Sequence, residues 1–571
     1  MSDTPTTERR TPTNTYRLQI RESFDLHDAA RRLTYLHDLG VDWVYLSPLL
    51  EAEPGSDHGY DVVAHDRIDP ARGGEEGLAA LSTEARRLGM GVLVDIVPNH
   101  VGIATPSANA WWWDVLTHGR GSRYAEAFDI DWDAGDGKIL VPIVGDDDEA
   151  AITVDVAAGH VAYHDHRFPL APRTRSLDKQ HYRLVSWRAA DQALNYRRFF
   201  AVNTLAAVRV EEQWVFEETH AEIKRWFDDG LVDGLRVDHP DGLRDPEGYL
   251  ADLASLTRHA YVLVEKILEP GEALPTSWAT AGTTGYDALG HIDRVLTAPV
   301  ARGELPHDDV DWTAMIRATK RAVADGILGS EVQRIVRELP TDELSTTGAK
   351  QARTLVSRQV SRLRTRLTAS KSVPLGLPTP LVVDAVAELL ACFGVYRSYL
   401  PHTRGYLDEA FERARDTRPD LGAVFDALAP VLGDAGQPAA LRFQQTSGMV
   451  MAKGVEDCAF YRYSRLTSLN EVGGDPSEHH LSPAAFHELM KIRQRDRPLA
   501  MTCTSTHDTK RGEDVRARIA VLAELPELWT AALGRLEQHS AGVDSSFANL
   551  LWQAVVGAWD DQDVDLRPRL H

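Results

Sequence analysis

Gly234-Leu-Arg236-Val-Asp238-His239 is the stretch that decides the fold and chemistry predicted for this chain. Its apolar residues predict a short β-strand, in which alternate side chains share one face, so Arg236 and Asp238 are expected to point the same way. A cation beside a carboxylate favours the ionised form, which suits a nucleophile better than a proton donor. Taken alone, the stretch also fits a strand end with a surface ion pair, so its interpretation depends on the rest of the chain.

The chain before this stretch alternates between strand and helix patterns. Thr15–Ile20, Trp43–Leu49 and Val92–Val97 have the apolar and β-branched composition of strands. The segments between them carry apolar residues at helical spacing and stop at Gly40 and Gly89, as helices commonly do. This alternation predicts βα units around a parallel sheet, and the near-continuous apolar strands indicate a sheet covered on both faces.

The later part of the chain is less regular. A helix is predicted over Glu217–Phe227, strands over Tyr261–Leu268 and Met501–Ser505, and a last helix over Phe547–Trp559. Residues 300–440 predict helices without strands. The expected organisation is a first part of the barrel in 1–100, an irregular insertion after strand 3 in 101–205, the middle of the barrel in 206–300, a large helical insertion before strand 7 in 301–440, and the strand 7 region with C-terminal helices in 441–571.

The composition is that of a globular protein and argues against several classes of partner. The net charge of −23 would repel phosphate backbones, so nucleic acid is not expected as a partner. The start of the chain lacks a signal peptide's apolar core, and no run approaches a membrane span, so a cytoplasmic protein without a membrane partner is expected. Cys392, Cys458 and Cys503 lack metal-ligand spacing and are predicted to be reduced and mostly buried.

Polar residues follow four of the predicted strands, as the catalytic face of a TIM barrel requires. They are Asp95 with Asn99-His100, Arg236 with Asp238-His239, Glu265, and His507-Asp508. Glu265 follows the apolar run Val262-Leu-Val264, a setting expected to favour its protonated form. An ionised Asp238 and a protonated Glu265 are the nucleophile and acid/base that a retaining glycosidase holds about 5–5.5 Å apart.

These four regions resemble, in order, the signature regions of the α-amylase superfamily. The first is Val94-Asp95-Ile-Val-Pro-Asn99-His100, and His58-Gly-Tyr60 before it is similar to the segment whose tyrosine stacks on the sugar at the cleaved bond. The resemblance implies that Asp238 is the nucleophile, Glu265 the general acid/base, and Asp508 the carboxylate that stabilises the oxocarbenium-like transition state. It also implies a set of ligands for the sugar whose bond is broken: Tyr60, His100, Arg236 and His507. Asp95 and Asn99 are expected to be structural.

Longer runs resemble one branch of that superfamily, the maltooligosyl trehalose synthases. They are Trp112-Trp113-Asp114, Asn195-Tyr-Arg197-Arg198-Phe199-Phe200, Gly282-Thr-Thr-Gly-Tyr286-Asp287, Met451-Ala-Lys453-Gly-Val-Glu456-Asp457, Ser468-Leu-Asn470-Glu471 and Thr506-His507-Asp508-Thr-Lys510-Arg511. This likeness implies an intramolecular transglycosylase that acts on maltooligosaccharides or other α-1,4-glucans. No cofactor is expected. No metal is expected either, because the sequence has no Asp/Asn-rich loop with calcium-ligand spacing, although some relatives bind calcium near the residue matching Asn99. Lys510 is expected to bind substrate, or together with Arg511 to neutralise an acidic pocket.

Several alternatives remain open from the sequence. The superfamily's eighth strand and β-rich C-terminal domain are not found, so the predicted fold is an α/β, TIM-type (β/α)8 barrel that is incomplete. The functional alternatives are an α-1,4-glucan hydrolase of the same superfamily and an inactive, truncated form that only binds glucan. Trp111–Trp113 fit sugar stacking or ordinary core packing equally well. Lys453, Glu456 and Asp457 also fit a solvated ion-pair network.

Overall fold

The structure, a computed structural model, describes residues 10–301, 303–307, 309–341, 375 and 377–559. It divides into two compact units. The first comprises Met1–Lys266 and Pro275–Gly282, and the second comprises Ile267–Leu274 and Thr283–His571.

A parallel sheet forms the centre of the first unit. In the described residues this sheet has six strands, of which the last, Gly282–Thr283, is only two residues long. The other five, in spatial order, are β1 (Thr15–Leu18), β2 (Trp43–Leu46), β3 (Gly91–Ile96), β4 (Gly234–Val237) and β5 (Tyr261–Val264). All four pairings between them are parallel. Every residue of β2 to β5 is buried, which confirms a sheet covered on both faces.

Helices cover this sheet where the apolar spacing predicts them. Their bounds are Leu26–Asp38, Gly74–Arg87, Gln213–Asp228 and Pro246–Leu256. In the first of them, residues at helical spacing are buried, and the carboxylate of Asp25 accepts a hydrogen bond from the backbone N–H of Asp28. The chain reverses at Gly40, where φ is +96°, a conformation that glycine adopts without steric cost. The predicted βα units are therefore confirmed.

The segment after β3 contains more regular structure than its composition predicts. It holds the helices Ala110–His118 and Ala190–Ala193. Earlier in the chain, the strands Leu50–Ala52 and Val62–Ile68 pair with each other as an antiparallel hairpin. Three small sheets are also present: Ile139–Val144 with Tyr182–Ser186; Ile152–Asp155, His160–Tyr163 and His166–Pro169; and His100–Gly102, Val202–Ala207 and Arg198–Phe199. The last sheet places His100 in a strand directly after the end of β3.

The second unit is helical. Its helices are Tyr286–Leu296, Trp312–Asp325, Gly329–Arg337, Thr379–Cys392, Arg404–Thr417, Gly422–Leu432, Pro438–Met451, Pro483–Asp496, Glu513–Ala520, Pro526–Leu536 and Ser545–Ala558. The predicted helical character of 301–440 is confirmed where the structure describes it; 342–374 lie outside the described residues. The last helix confirms the one predicted over Phe547–Trp559. All three cysteines are free thiols, with Cys392 buried and the other two half-buried.

The prediction of a seventh strand over Met501–Ser505 is wrong, because this segment forms no strand. The backbone N–H of Met501 donates to the carbonyl of Thr283 (3.1 Å), but this single hydrogen bond does not extend into a strand pairing. The carbonyls of Met501 and Thr504 accept hydrogen bonds from the guanidinium groups of Arg493 and Arg516 instead. Side chains thus satisfy backbone acceptors that a neighbouring strand would otherwise have to pair.

The parallel sheet of the described residues is unclosed, as expected. Its edges are β1 and the two-residue strand Gly282–Thr283, where the division between the two units falls. In the same residues, no helix combines the length and apolar character that crossing a bilayer demands.

Candidate active site

A buried arginine gathers the carboxylates at the ends of three neighbouring strands. Arg236 is 1% exposed, and its Nη1 donates to Asp238 Oδ1 (2.8 Å) and to Asp95 Oδ1 (2.8 Å). Its Nη2 forms an ion pair with Glu265 Oε1 (3.0 Å). A guanidinium carries its five donors in a fixed planar fork, so one side chain can hold several carboxylates at set positions.

The strand register explains why these side chains meet. Arg236 lies opposite Asp95 of β3 and Leu263 of β5 in the parallel ladder. Side chains opposite each other on neighbouring strands project from the same face of the sheet. Asp238 is two residues beyond Arg236 and therefore returns to that face, as the sequence predicts. The backbone N–H of Glu265 donates to the carbonyl of Val237 (3.0 Å), which extends the pairing to the acid/base candidate.

Asp95 anchors the substrate-ligand candidate Tyr60. The hydroxyl groups of Tyr60 and of the buried Tyr45 both donate to Asp95 Oδ2, the latter at 3.1 Å. Burial and the charge of Asp95 raise the pKa of both phenols well above the ordinary value, so both remain proton donors at neutral pH. The Tyr60 ring is half-buried, with the Arg236 guanidinium carbon 5.9 Å from its centroid. Asp95 thus holds the hydroxyl group of Tyr60 in place beside Arg236.

The surroundings of Glu265 are more polar than the strand before it indicates. One carboxylate oxygen pairs with Arg236, and the other accepts a hydrogen bond from the backbone N–H of His239 (3.1 Å). Two donors thus contact a carboxyl group for which the sequence predicts apolar surroundings. The side chain is 17% exposed, which leaves the group accessible to a ligand.

His100 and His239 form an aromatic wall beside these carboxylates. The His100 ring stacks on Phe199 (4.3 Å between centroids), and the His239 ring meets the edges of Phe199 and Phe200 at 5.2 and 4.7 Å. Burial, followed by the neighbouring His239, lowers the pKa of His100 to about 3. A neutral imidazole can both donate to and accept from hydroxyl groups, which fits the predicted role of His100 as a sugar ligand.

Arg197 binds the oxygen atoms around Asn99. Its guanidinium donates to Asn99 Oδ1 (2.7 Å), to the carbonyls of Gly242 (2.8 Å) and Val208 (3.1 Å), and to Asp129 Oδ2 (3.1 Å). These donors tie the segment after β3 to the ends of both β3 and β4. A cation already lies among the oxygens, and no group of three or more metal-ligating side chains occurs in the described ranges. Arg197 therefore supplies a positive charge among these oxygens.

Activity is expected to survive exhaustive chelation with EDTA, because Arg197 supplies the positive charge that these oxygens require. The measurement is the initial rate on maltopentaose before and after chelation and desalting. The expected change is less than about twofold. A larger loss that calcium, and not sodium, restores would contradict this interpretation of Arg197.

The remaining predicted site residues lie in the second unit. Asp508 is 46% exposed and accepts a hydrogen bond from the Tyr286 hydroxyl (3.4 Å), while His507 Nε2 lies 3.0 Å from the same carboxylate oxygen. The backbone N–H of Asp508 donates to Thr506 Oγ1 (3.1 Å), which shapes the turn. A half-exposed carboxylate in contact with Tyr286 and His507 is accessible to a sugar ring.

Lys510 belongs to a charged cluster with two acids. Its ammonium lies 3.1 Å from Asp457 Oδ1 and 3.7 Å from Glu456 Oε2. Burial alone would lower the pKa of Lys510, but Glu456 and Asp457 raise it above its ordinary value. Asp457 also accepts from Lys453 (2.6 Å). The π-helical turn Ala452–Glu456 that carries these groups is a distortion often found at functional sites.

Glu456 is less exposed than a member of the solvated ion-pair network that the sequence also fits. Its carboxylate is mostly buried and accepts a hydrogen bond from the Tyr396 hydroxyl. Burial raises the pKa of Glu456 to about 7, despite that bond and the nearby Lys510. Nothing in the sequence indicates this burial, because Tyr396 is 60 residues away.

This shift gives wild-type stability a specific pH dependence. The folded state binds the Glu456 proton more tightly than the unfolded chain does. The resulting contribution to the free energy of unfolding is therefore fully present below about pH 4.5 and is lost as pH rises towards 7. Glu456→Gln removes that dependence. Relative to the variant, the wild type should lose on the order of 1–3 kcal/mol of unfolding free energy between pH 4.5 and 7.5.

Urea unfolding of both proteins at the two pH values measures the difference. Glu488→Gln is a control, because Glu488 is an exposed helix residue paired only with Lys491 in the contacts found. Parallel pH profiles of the wild type and Glu456→Gln would contradict the raised pKa.

Glu471 is a positioning residue that sequence reasoning missed. It is 1% exposed and accepts hydrogen bonds from the backbone N–H groups of Lys510 (2.7 Å) and Arg511 (3.0 Å). Burial raises the pKa of Glu471 even though backbone donors surround it. It thereby sets the course of the chain just after Asp508. The only signal in the sequence is its place in the long run that resembles the maltooligosyl trehalose synthases.

Comparisons with known proteins agree with this geometry. The family model for the alpha amylase catalytic domain matches residues 19–252. A putative maltooligosyl trehalose synthase of Mycobacterium tuberculosis is 43% identical over 98% of this chain and 71% of its own length. The solved structure of maltooligosyltrehalose synthase from Arthrobacter ramosus is 52% identical, with a TM-score of 0.89 over 98% of this chain and 70% of that one. A hypothetical maltooligosyl trehalose synthase of Sulfolobus tokodaii is 32% identical, with a TM-score of 0.79 over 98% and 71%. The chain therefore belongs to the maltooligosyl trehalose synthase family, a branch of the α-amylase enzymes.

Proposed function

We propose that this protein is a (1→4)-α-D-glucan 1-α-D-glucosylmutase. It converts the α-1,4 linkage at the reducing end of a maltooligosaccharide into an α,α-1,1 linkage. The product is a maltooligosyl trehalose, so the reaction serves trehalose biosynthesis. The observation that carries the proposal is the single guanidinium of Arg236, which contacts both Asp238 and Glu265 in a chain similar over 98% of its length to synthases of this kind.

The first half of the reaction breaks the reducing-end linkage. Asp238 attacks the anomeric carbon of the penultimate glucosyl unit, and Glu265 donates a proton to the departing O4 of the terminal glucose. Arg236 keeps Asp238 ionised through a charge-assisted hydrogen bond. Glu265 must carry a proton at this step, and its contacts with Arg236 and with the backbone N–H of His239 hold the carboxyl group in position.

The second half forms the new linkage. The terminal glucose stays bound, turns, and presents its anomeric hydroxyl to the glycosyl–Asp238 ester. Glu265 now accepts the hydroxyl proton, the anomeric oxygen attacks the glycosyl carbon, and Asp238 leaves as a carboxylate. Two displacements at one carbon retain the α configuration. The atoms balance, so substrate and product are isomers.

Other residues are assigned through the family resemblance together with their contacts. Asp508 stabilises the oxocarbenium-like transition state, and its exposed carboxylate allows this role. Tyr60, His100, Arg236, His507 and Lys510 bind the sugars on either side of the bond. Lys510 suits this role because two acids hold it charged and in place. A charged donor of fixed position is what hydroxyl recognition needs.

The proposed partners are α-1,4-glucans only. The net charge of −23 disfavours nucleic acid, and the free thiols fit a reducing compartment such as the cytoplasm. No cofactor takes part in the proposed chemistry, since both steps need only carboxylates. The rival reading is hydrolysis, in which water replaces the retained glucose as acceptor.

A product assay on maltopentaose tests the proposal. The expected result is loss of reducing ends with little glucose release, and a product of unchanged mass. Release of reducing sugars as the main outcome would assign a hydrolase. Absence of both products, with glucan still bound, would assign a binding protein.

A further inference from the structure

A second group of aromatic side chains lies in the first unit, away from the carboxylates. It borders a cavity of about 390 Å³ lined by Trp111, Tyr124, His65, Asn109, Asp66 and Glu218, among others. None of the lining residues is one of the predicted site residues. The cavity is within the size range of small-molecule sites, which usually combine aromatic walls with a few polar groups.

The rings are arranged as platforms and are not fully enclosed. Trp111 and Tyr124 are stacked, with centroids 4.8 Å apart and planes 17° apart, and both are half-buried. Trp214 lies 5.9 Å from Trp111 and 6.4 Å from Tyr124. Arg123 covers both Tyr124 (4.8 Å) and Trp214 (5.6 Å). Trp111 and Tyr124 thus lie at the border of the cavity and are only half-buried.

The neighbouring tryptophan shows the contrast. Trp112 is 1% exposed and makes edge contacts with Phe128 and Tyr196, so it is ordinary core. The helix Ala110–His118 turns by about 100° per residue, which sends Trp111 to another side. Core packing therefore accounts for Trp112, and the alternative of sugar stacking stays open for the half-buried Trp111.

The charges around the cavity indicate a neutral ligand. Glu218 pairs with Arg123, and Asp66 pairs with Arg67 (3.0 Å), which also pairs with Glu51. Each lining acid thus has a guanidinium partner. The ring of His65 lies 5.7 Å from Trp111, and burial lowers the pKa of His65 to about 4, so it adds no charge at neutral pH. Paired charges and a neutral imidazole offer hydroxyl groups both donors and acceptors.

We propose that this cavity is a non-catalytic binding site for α-1,4-glucan, in which the half-buried Trp111 and Tyr124 contact glucosyl rings. Sugar rings combine apolar C–H faces with equatorial hydroxyl groups, which match aromatic platforms rimmed by paired charges. The choice of glucan as ligand rests on the proposed function. The site would hold a long chain on the enzyme between catalytic events and so raise the local concentration of chain ends.

Affinity electrophoresis in native gels containing soluble starch tests the site without requiring turnover. Trp111→Ala should raise the apparent dissociation constant for starch about three- to tenfold, and Trp111→Phe should raise it less. Trp187→Ala is the matched control, because Trp187 is an exposed tryptophan with an arginine, Arg188, over its ring at 4.3 Å and lies outside the cavity. Wild-type retardation of Trp111→Ala would overturn the proposal.

Hydrogen–deuterium exchange on the unmodified protein gives a second readout that needs no variant. Maltohexaose should protect the amides of residues 108–112 and 214–221, while residues 152–169 should not change. Absence of protection in the first two segments would overturn the proposal even if Trp111→Ala failed to fold. If the protein binds starch through this site but makes no maltooligosyl trehalose, the isomerase function is refuted and the proposed binding site is retained.

Discussion

Asp238→Asn is expected to abolish turnover while the protein remains folded. The amide keeps the volume of the side chain and can still accept a hydrogen bond from Arg236, but it lacks the charge that attacks the anomeric carbon. Arg236 retains its contacts with Asp95 and Glu265, so no buried cation is left alone. The rate on maltopentaose should fall roughly 10³- to 10⁶-fold, as measured by loss of reducing ends.

Asp233→Asn is the matched control for this experiment. Asp233 precedes β4, whereas Asp238 follows it, so the same change is made at the opposite end of one strand. It pairs with Arg86 (2.7 Å) and Arg10 (3.5 Å). Catalytic residues of this fold lie at the carboxyl ends of strands, so Asp233→Asn should keep its rate within about threefold. Comparable activity of Asp238→Asn and the wild type would refute the nucleophile assignment.

Glu265→Gln is expected to have the second largest effect, and a selective one. A carboxamide cannot protonate the departing O4, so the rate on maltopentaose should fall at least about a thousandfold. A donor such as α-maltosyl fluoride needs no proton on its leaving group. Its first-turnover fluoride release should fall no more than about tenfold, because Asp238 is unchanged.

The comparison of the two donors separates acid catalysis from a structural role. Circular dichroism and the melting temperature of Glu265→Gln show whether the fold persists. Equal losses on maltopentaose and on the fluoride, in a folded variant, would contradict the assignment of Glu265 as general acid.

Contacts between residues that are close together in the chain could be predicted from the sequence. The spacing of Arg236 and Asp238 in a short apolar strand places them on one face, and the hydrogen bond between the two side chains confirms it. The alternation of strand and helix patterns predicts the parallel sheet for the same reason: both features depend on short-range periodicity. The family runs extended this prediction to Glu265.

Contacts between distant parts of the chain could not be predicted. Arg197 binds Asn99, which is 98 residues away, and Tyr45 reaches Asp95 over 50 residues. The composition of Met501–Ser505 favours a strand, but Arg493 and Arg516 satisfy its carbonyls, and no local pattern reports that competition. Glu456 likewise looks like a surface acid until Tyr396 and its burial are known.

The claim that the released glucose is itself the acceptor has a direct test. Maltopentaose is converted in the presence of excess ¹³C-labelled glucose, and the maltooligosyl trehalose product is examined by mass spectrometry. If the terminal glucose stays bound between the two displacements, the product has the mass of maltopentaose and carries no label. Labelled product in proportion to the added glucose would show that glucose leaves and rebinds, and would contradict an intramolecular reaction at Asp238 and Glu265.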